Sequence, residues 1–170
     1  FISAEPVAPV SWAKGINPKT GRPDINPDAY YSSERGVTVS PLQAHNTAQM
    51  AFNPATGLVY VPMNANSTFN FTAAANFQIV DGVQALGLRG FGEPGQAPPL
   101  NVPKAYGPVR PGQRGILSGW DPTTQKEGWF APVGGQSGGG ALSTAGNLVF
   151  QVTPQGRLMA YTADKGEKLL

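Results

Sequence analysis

Few side chains in this sequence are of a type that could carry acid–base, nucleophilic or metal chemistry. His45 is the only histidine, and a catalytic triad or a metal site would need partners that do not occur near it at a suitable spacing. We therefore predict a structural or turn role for His45. The acidic residues near the start of the chain are too dispersed to form a carboxylate pair; they are Glu5, Asp24, Asp28 and Glu34.

A glycine-rich tract, Gly134–Gly140, is the second candidate for chemistry. Glycine-rich loops can hold a phosphate, but this tract lacks the following Lys-Ser/Thr pair and any helix start, so the phosphate signal is weak. Glycine is also required where a ligand or another strand comes close to the main chain. We expect the tract to have this second role.

The composition favours many short strands joined by turns. The 170 residues include 22 Gly and 17 Pro, 40% of them are hydrophobic and only 13% are charged. Long helices need more helix-forming residues and fewer glycines and prolines. The chain is long enough for one domain with a substantial core. We therefore predict an all-β fold.

Charge and cysteine content exclude several kinds of partner and site. The formal net charge is +2, and the basic residues are scattered without interleaved aromatic residues, so we predict no nucleic-acid partner. Because the chain has no cysteine, it can form no disulfide and no thiolate metal site, and it cannot attach a haem through a CxxCH motif. Its apolar stretches are too short to predict a membrane span.

An eleven-position frame occurs twice, at Gly119–Trp129 and at Ala160–Leu170. The two copies start 41 residues apart, and a period of about 40–45 residues with four short strands per repeat is typical of propeller blades. In each copy a strand leads into a turn, and the last apolar residue can pack flat against the neighbouring blade. The alternative is two ordinary hairpins that share turn residues by chance.

Further strands and one long loop are predicted around these frames. Met50–Phe52 and Leu58–Val61 form a hairpin around a loop that contains Gly57. Residues 67–112 are less regular and predict a long loop, with possible strands at Phe69–Phe71 and Phe77–Val80. Loops of this length are usually functional, as lids or interface elements, or else disordered. The other predicted strands are Val37–Val39, Gly115–Trp120, Glu127–Ala131, Leu142–Ser143, Leu148–Val152 and Leu158–Tyr161.

A closed propeller needs more blades than a chain of this length supplies. The first residue is Phe1, and the sequence opens with neither an initiator methionine nor a signal peptide. We expect residues 1–170 to be a segment of a single β-propeller domain, with about three to four blades and a long loop near 67–112. The remainder of the propeller would lie outside this chain.

Four motifs carry a resemblance to a known family. They are SWAKGINPKTGRP at Ser11–Pro23, HNTAQMAFNPATGLVYVP at His45–Pro62, GILSGWDPTTQKEGW at Gly115–Trp129 and GGGALSTAGNLVFQVTPQGRLMAYTADKGEKLL at Gly138–Leu170. Together they resemble the pyrroloquinoline quinone (PQQ)-dependent alcohol dehydrogenases, which are quinoprotein propellers. TGLVY and TAGNLVFQ at this separation are the most specific part, and the 67–112 loop is the weakest.

The resemblance implies a fold, a cofactor and an activity. The family fold is an eight-bladed propeller of four-stranded antiparallel blades, with PQQ and a calcium or lanthanide ion on its axis. The family oxidises an alcohol to an aldehyde or ketone, uses a carboxylate base, and passes electrons to a cytochrome in the periplasm. The base and the metal ligands precede the matching segment, so the resemblance places no catalytic residue and no metal ligand in this chain.

The resemblance also implies cofactor-binding residues, which are Asn46, Thr47, Ser137, Gly138 and Gly139. Asn46 matches the family asparagine that hydrogen-bonds the quinone, and an amide suits this role because it both donates and accepts. Thr47 stands where the family has Trp, and Ser137 and Gly138 stand where it often has Trp followed by Asn. These departures predict either a wider pocket for a bulky or secondary alcohol, or a propeller that has lost the quinone.

The two frames depart from the family as well, because Gln125 replaces the usual Gly and Leu170 the usual Trp. The main alternative function is therefore a non-catalytic propeller that binds partners through its loops and needs no cofactor. A hydrolase ranks last, because the chain lacks a nucleophile–base set.

Overall fold

The computed structural model describes residues 2–79, 81–82, 86–89, 99–133 and 138–170. In these residues the all-β prediction is confirmed, because the only helical element is a 3-10 turn at Pro27–Ala29. The strands in chain order are β1 (Ala13–Ile16), β2 (Pro23–Ile25), β3 (Gly36–Val39), β4 (Ala51–Asn53), β5 (Leu58–Asn64), β6 (Phe69–Phe71), β7 (Leu100–Asn101), β8 (Gly115–Asp121), β9 (Lys126–Pro132), β10 (Ala141–Thr144), β11 (Leu148–Val152) and β12 (Leu158–Thr162).

The chain divides into two compact units. The first unit comprises residues 1–3, Val10–Leu42 and Thr68–Tyr106. The second comprises Ala4–Pro9, Gln43–Ser67 and Gly107–Leu170.

The first unit contains a hairpin, β1–β2, and a small sheet in the order β6-β3-β7. The side chain of Asn17 accepts hydrogen bonds from the backbone N–H groups of Lys19 (2.9 Å) and Thr20 (3.2 Å), which forms the predicted turn between β1 and β2. β3 pairs with β6 antiparallel and with β7 parallel. The strand predicted at Phe69–Phe71 is thus confirmed. The strand predicted at 77–80 is wrong for 77–79, which follow a turn without pairing, and Val80 lies outside the described residues.

The second unit contains a four-stranded antiparallel sheet in the order β4-β5-β8-β9. The predicted β4–β5 hairpin closes with a hydrogen bond of 2.8 Å from the N–H of Gly57 to the carbonyl of Asn53. β5 and β8 pair without interruption from Val59↔Trp120 to Asn64↔Gly115. In sequence they are separated by residues 65–114, which we name the excursion. The side chain of Asn66 donates to the carbonyls of Arg110 and Gln113 and so joins the two ends of that excursion.

A three-stranded antiparallel sheet, β10-β11-β12, follows in the same unit. After β12 the chain turns and runs back along it, with a bridge between Tyr161 and Lys168. The N–H of Leu170 thereby reaches the carbonyl of Ala160 at 3.4 Å. In the preceding sheet Trp129 stands opposite Gly119 in the same way. The two eleven-residue frames therefore start and end at equivalent places in their sheets.

The seventh position of each frame has a backbone conformation that favours glycine. Gln125 has a φ of 54° and Gly166 a φ of 70°. Glycine adopts such angles without steric cost, whereas residues with a Cβ adopt them rarely. The substitution of the usual Gly by Gln125 has therefore not changed the turn.

Trp129 joins the two sheets of the second unit. Its ring lies between Gly119 of its own sheet and Gly166 of the turn after β12. A Cβ at Gly119 would stand 2.6 Å from ring atoms, and one at Gly166 would overlap the ring. The indole N–H donates to the carbonyl of Ala163 at 3.0 Å, and the hydroxyl of Tyr60 donates to the same oxygen at 2.9 Å. The predicted docking of the last apolar residue against a neighbouring sheet is thus observed for this frame.

The opposite face of the four-stranded sheet carries a second core and a buried ion pair. Val61, Met63, Ala65 and Ile116 are buried there. The guanidinium of Arg110 contacts the carboxylate of Glu127, and the side chains of the two residues are 5% and 19% exposed. The hydroxyl of Ser118 donates to the other carboxylate oxygen at 2.7 Å. This network fixes the end of the excursion to β8 and β9.

We expect the Trp129 contact to make glycine essential at position 166. Gly166→Ala combines a left-handed backbone with overlap of the ring, whereas Gly156→Ala has the same kind of φ, 74°, and nothing within 4 Å of the added methyl. In both variants, holding alanine in a left-handed backbone conformation lowers the free energy of unfolding by about 1–2 kcal/mol. In Gly166→Ala, the overlap of the added methyl with the Trp129 ring lowers it by about 1–3 kcal/mol more. Denaturant unfolding of the complete protein measures both. Equal losses for the two variants would contradict the docking role of Trp129.

A second prediction concerns the partly buried ion pair. Arg110→Met leaves the Glu127 carboxylate with the Ser118 hydroxyl as its remaining partner and should destabilise the fold by about 1–3 kcal/mol. Adding Glu127→Gln should recover part of this loss in a double-mutant cycle. The control is Arg35→Met, because the Arg35–Asp28 pair is 3.8 Å apart with side chains 49% and 73% exposed. That control should cost less than about 1 kcal/mol. If both single variants cost the same, the Arg110 network is not a stabilising feature.

Candidate functional site

A polar cavity of about 400 Å³ lies in the second unit, between a loop and a glycine segment. The loop precedes β4, and the segment Gly138–Gly140, which we name the glycine wall, precedes β10. The described residues that line the cavity are Gln43, Asn46, Thr47, Ala48, Gln49, Asn64, Gly138, Gly139 and Gly140. Amides, a hydroxyl and peptide groups therefore surround the space.

Two contacts near its start hold the loop on β5, and a third joins it to Ser67, which follows β5. The carbonyl of Ala44 accepts from the N–H of Asn64 at 2.8 Å. Nδ1 of His45 lies 2.8 Å from the carbonyl of Pro62, to which it donates. The N–H of Gln43 donates to the hydroxyl of Ser67 at 3.2 Å. His45 thus has the structural role predicted for it, and its contact fixes the chain next to Asn46.

The glycine wall is held from behind by β11. The N–H of Gly139 donates to the carbonyl of Val152 at 2.7 Å, and the side-chain amide of Gln151 donates to the carbonyl of Gly139 at 3.1 Å. A Cβ at Gly138 would overlap the Val152 carbonyl. At this position the predicted reason for glycine, close approach of another strand, is confirmed.

A hydrogen bond connects the loop to the first residue of β10, next to the wall. The N–H of Ala141 donates to the carbonyl of Gln49 at 2.8 Å. A Cβ at Gly140 would stand 2.7 Å from the side-chain oxygen of Gln49. The two sides of the cavity are therefore in direct contact, and glycine at position 140 permits that contact.

The described lining of the cavity carries no ionisable side chain. These residues can donate and accept hydrogen bonds, but they cannot serve as a general acid or base near neutral pH. Within the described part of the chain, no group of three His, Asp or Glu residues could hold a metal ion. The arrangement is thus suited to binding and orienting a polar ligand.

The structure brings four of the predicted cofactor-binding residues to this one cavity, namely Asn46, Thr47, Gly138 and Gly139. Ser137 lies outside the described residues, as does the rest of the tract from Gly134. The sequence missed the lining contributed by Gln43, Gln49 and Asn64, because nothing in their local pattern shows that the loop folds against the wall. Ligand binding by any of these residues stays a prediction.

Two other cavities are weaker candidates. One, of about 370 Å³, lies at the turns after β8 and β12 and includes Asp121 and Asp164. The hydroxyl and N–H of Thr124 lower the pKa of Asp121, whose carboxylate holds its own turn. The side chain of Asn147, in the turn between β10 and β11, lowers the pKa of Asp164, whose carboxylate therefore joins that turn to the one after β12. The other, of about 280 Å³, is an apolar cavity of the first unit with Trp12, Tyr31 and Phe71.

Burial also affects the tyrosines at the sheet interface. It raises the pKa of Tyr60 and of Tyr161 above the usual value for a phenol. Tyr60 therefore keeps its proton throughout the physiological range, and its hydrogen bond to Ala163 does not depend on pH there.

No helix in the described part of the chain is long and apolar enough to cross a membrane.

The glycine wall yields a test that needs no ligand. Gly138→Ala places a methyl against the Val152 carbonyl, whereas at Gly139 the nearest atoms to an added Cβ are 3.6 Å away, in ordinary contact. We expect Gly138→Ala to lower stability by about 1–3 kcal/mol and Gly139→Ala by less than about 1 kcal/mol. Thermal denaturation of the complete protein compares them. The packing of the wall on β11 is refuted if Gly139→Ala is the more damaging change.

Comparison with known proteins gives relatives along almost the whole chain, although no protein-family model matches it. The chain is 38% identical to quinohemoprotein alcohol dehydrogenase ADH-IIG of Pseudomonas putida, over 99% of this chain and 24% of the relative. It is 34% identical to a 1-butanol dehydrogenase (cytochrome c) of Thauera butanivorans, again over 99% of this chain and 24% of the relative.

Two solved structures have the same fold over this segment. The structure of ADH-IIG from Pseudomonas putida HK5 matches with a TM-score of 0.77 and 32% identity, over 98% of this chain and 24% of that protein. A europium-containing methanol dehydrogenase matches with a TM-score of 0.76 and 25% identity, over 99% of this chain and 28% of that one. The sheets described above therefore correspond to part of the propellers of these dehydrogenases.

The chain spans about a quarter of the length of these relatives. Nearly all of it is homologous to a segment, about 23% of the whole, of the quinoprotein alcohol dehydrogenases.

Proposed function

We propose that this chain is part of a PQQ-dependent alcohol dehydrogenase and forms one wall of its quinone pocket. The observation that carries the proposal is the cavity shared by Asn46, Thr47, Gly138 and Gly139, in a chain homologous to such enzymes. The whole protein would oxidise an alcohol to an aldehyde or ketone and pass the electrons to a c-type cytochrome. Relatives named as quinohemoproteins and as a cytochrome c-linked butanol dehydrogenase support this.

The residues of the cavity fit a quinone that carries several carbonyl and carboxylate oxygens. Asn46 can donate to a ring carbonyl through its amide nitrogen. The glycine wall offers peptide groups without side chains, which lets a flat ring come close to the backbone. The described lining contains no carboxylate that would repel an anionic ligand. When bound, PQQ supplies the electron acceptor for alcohol oxidation, and the residues of this chain hold and orient it.

Proton transfer and metal binding are assigned to residues outside this chain. Because the described lining has no acid or base, a carboxylate from elsewhere in the propeller would take the hydroxyl proton of the alcohol. The ligands of a calcium or lanthanide ion would also come from there. A structurally similar methanol dehydrogenase contains europium, which supports a hard cation in the whole protein.

We place residues 1–170 in one propeller, as about three to four blades, with further blades supplied by the rest of the protein. The outer face of the β10–β12 sheet supports this, because it exposes Leu142 (63%), Val152 (45%) and Leu158 (53%) to solvent. An exposed apolar sheet face of this kind is typical of a surface that packs against another part of a protein. Leu170, which stands where Trp129 stands in the preceding sheet, would pack on the next one. The location proposed for the whole protein is the periplasm, as the resemblance implies.

The substrate proposed is a bulky or secondary alcohol. Thr47 lines the cavity at the position where the PQQ-dependent alcohol dehydrogenases have Trp. Because threonine is smaller, its side chain fills less of the cavity. The same change favours the second candidate function, a propeller that has lost the quinone and serves as a binding scaffold.

Asn46→Ala tests the pocket in the complete protein. Loss of one hydrogen bond to the quinone should weaken PQQ binding about tenfold. Titration with PQQ in the presence of calcium, and separately of a lanthanide, gives the dissociation constant, and alcohol-dependent reduction of an artificial dye gives the activity. Asn70→Ala is the control, because Asn70 lies in the first unit and bonds to Thr38.

Either of two results would count against this assignment. If Asn46→Ala binds PQQ as tightly as the unchanged protein, Asn46 does not contact the quinone. If the unchanged, folded protein binds no PQQ with either metal and oxidises no alcohol, the scaffold function replaces the enzyme.

A further inference from the structure

Gln151 is a buried amide on an otherwise apolar surface. It is 1% exposed and shares the inner face of the β10–β12 sheet with Val149 and Tyr161, which are 0% and 2% exposed. Its side-chain oxygen has no hydrogen-bond partner among the described residues. A buried carbonyl that lacks a partner lowers stability, so packing alone does not explain an amide at this position.

Among the described residues, the Gln151 side chain has one hydrogen bond, and it goes to the glycine wall. Its amide nitrogen donates to the carbonyl of Gly139 at 3.1 Å. On the other side of the same residue, the N–H of Gly139 donates to the carbonyl of Val152 at 2.7 Å. Two neighbouring residues of β11 thus fix the orientation of Gly139, which has no side chain of its own to do so.

This orientation determines where the next N–H group points. A trans peptide is planar, and its N–H points opposite to its C=O. Because the Gly139 carbonyl points to the side-chain amide of Gln151, the N–H of Gly140 points away from that amide. Gly140 lines the cavity, and within the described residues its N–H has no partner. A backbone donor is thereby available at the cavity surface.

We propose that Gln151 is a positioning residue, which turns the Gly139–Gly140 peptide so that the N–H of Gly140 donates to an oxygen acceptor of the bound ligand. The acceptor is a carbonyl or carboxylate oxygen, because such a group accepts from a peptide N–H and the described lining has no charge to compete with it. The inference rests on the proposed function where it identifies that oxygen as one of PQQ. The orientation of the peptide by Gln151 does not depend on it.

The test compares Gln151→Leu with Val149→Ala in the complete protein. Gln151→Leu removes the donor and keeps most of the volume. Val149→Ala weakens the core two residues away on the same strand face and leaves the hydrogen bonds of the wall intact. PQQ affinity, thermal stability, and hydrogen–deuterium exchange of peptides covering 138–141, followed by mass spectrometry, are measured for both variants.

We expect Gln151→Leu to weaken PQQ binding about tenfold and to speed exchange at Gly139 without ligand, while its Tm falls less than that of Val149→Ala. Val149→Ala should lower the Tm and leave both affinity and local exchange unchanged. In the unchanged protein, PQQ should protect the Gly140 amide, and this protection should be lost in Gln151→Leu.

Different failures lead to different conclusions. If hydrogen–deuterium exchange at Gly139 is unchanged in Gln151→Leu, Gln151 does not position the wall, and this holds whether or not the protein binds PQQ. Increased exchange together with unchanged PQQ affinity overturns the role of the Gly140 N–H as a ligand donor. If the unchanged protein binds no PQQ, the proposed function fails and the donor role to PQQ fails with it, whereas increased exchange in Gln151→Leu would still support the positioning of the wall.

Discussion

The position of one tryptophan ring determines the arrangement of the second unit. Trp129 lies between Gly119 of its own sheet and Gly166 of the turn after β12, and it shares the carbonyl of Ala163 with Tyr60 as its hydrogen-bond acceptor. The ring needs glycine on both sides because a Cβ on either would enter the space of the ring. A large apolar surface and two directed hydrogen bonds thus fix both the distance and the rotation between the sheets.

The polar cavity depends on that interface. Its loop is held by β5 of one sheet through Pro62 and Asn64, and its glycine wall is held by β11 of the other through Gln151 and Val152. A shift of one sheet against the other would therefore separate the two sides of the cavity. Its neutral lining suits the holding of a cofactor rather than proton transfer, which agrees with the proposal that other parts of the protein supply the base and the metal.

A long segment of the chain separates the two central strands of the four-stranded sheet. β5 and β8 pair over six positions although some fifty residues lie between them. Asn66 closes the base of the excursion through the carbonyls of Arg110 and Gln113, and Arg110 anchors the returning chain on Glu127. These contacts bring the two ends of the excursion together at the edge of the paired region.

The sequence by itself determined the strands and turns whose signals are local. The hairpin around Gly57, the frames that end at Trp129 and Leu170, and the requirement for glycine at 138 follow from alternation, turn residues and close backbone approach. The strand prediction failed at 77–79, which have no partner strand among the described residues. Only the tertiary structure decided that β5 pairs with β8, that Asn46 faces the glycine wall, and that Gln151 supports that wall from behind. These contacts join residues that are separated in the chain. The residue pattern of either segment alone does not indicate which distant group it will bond to.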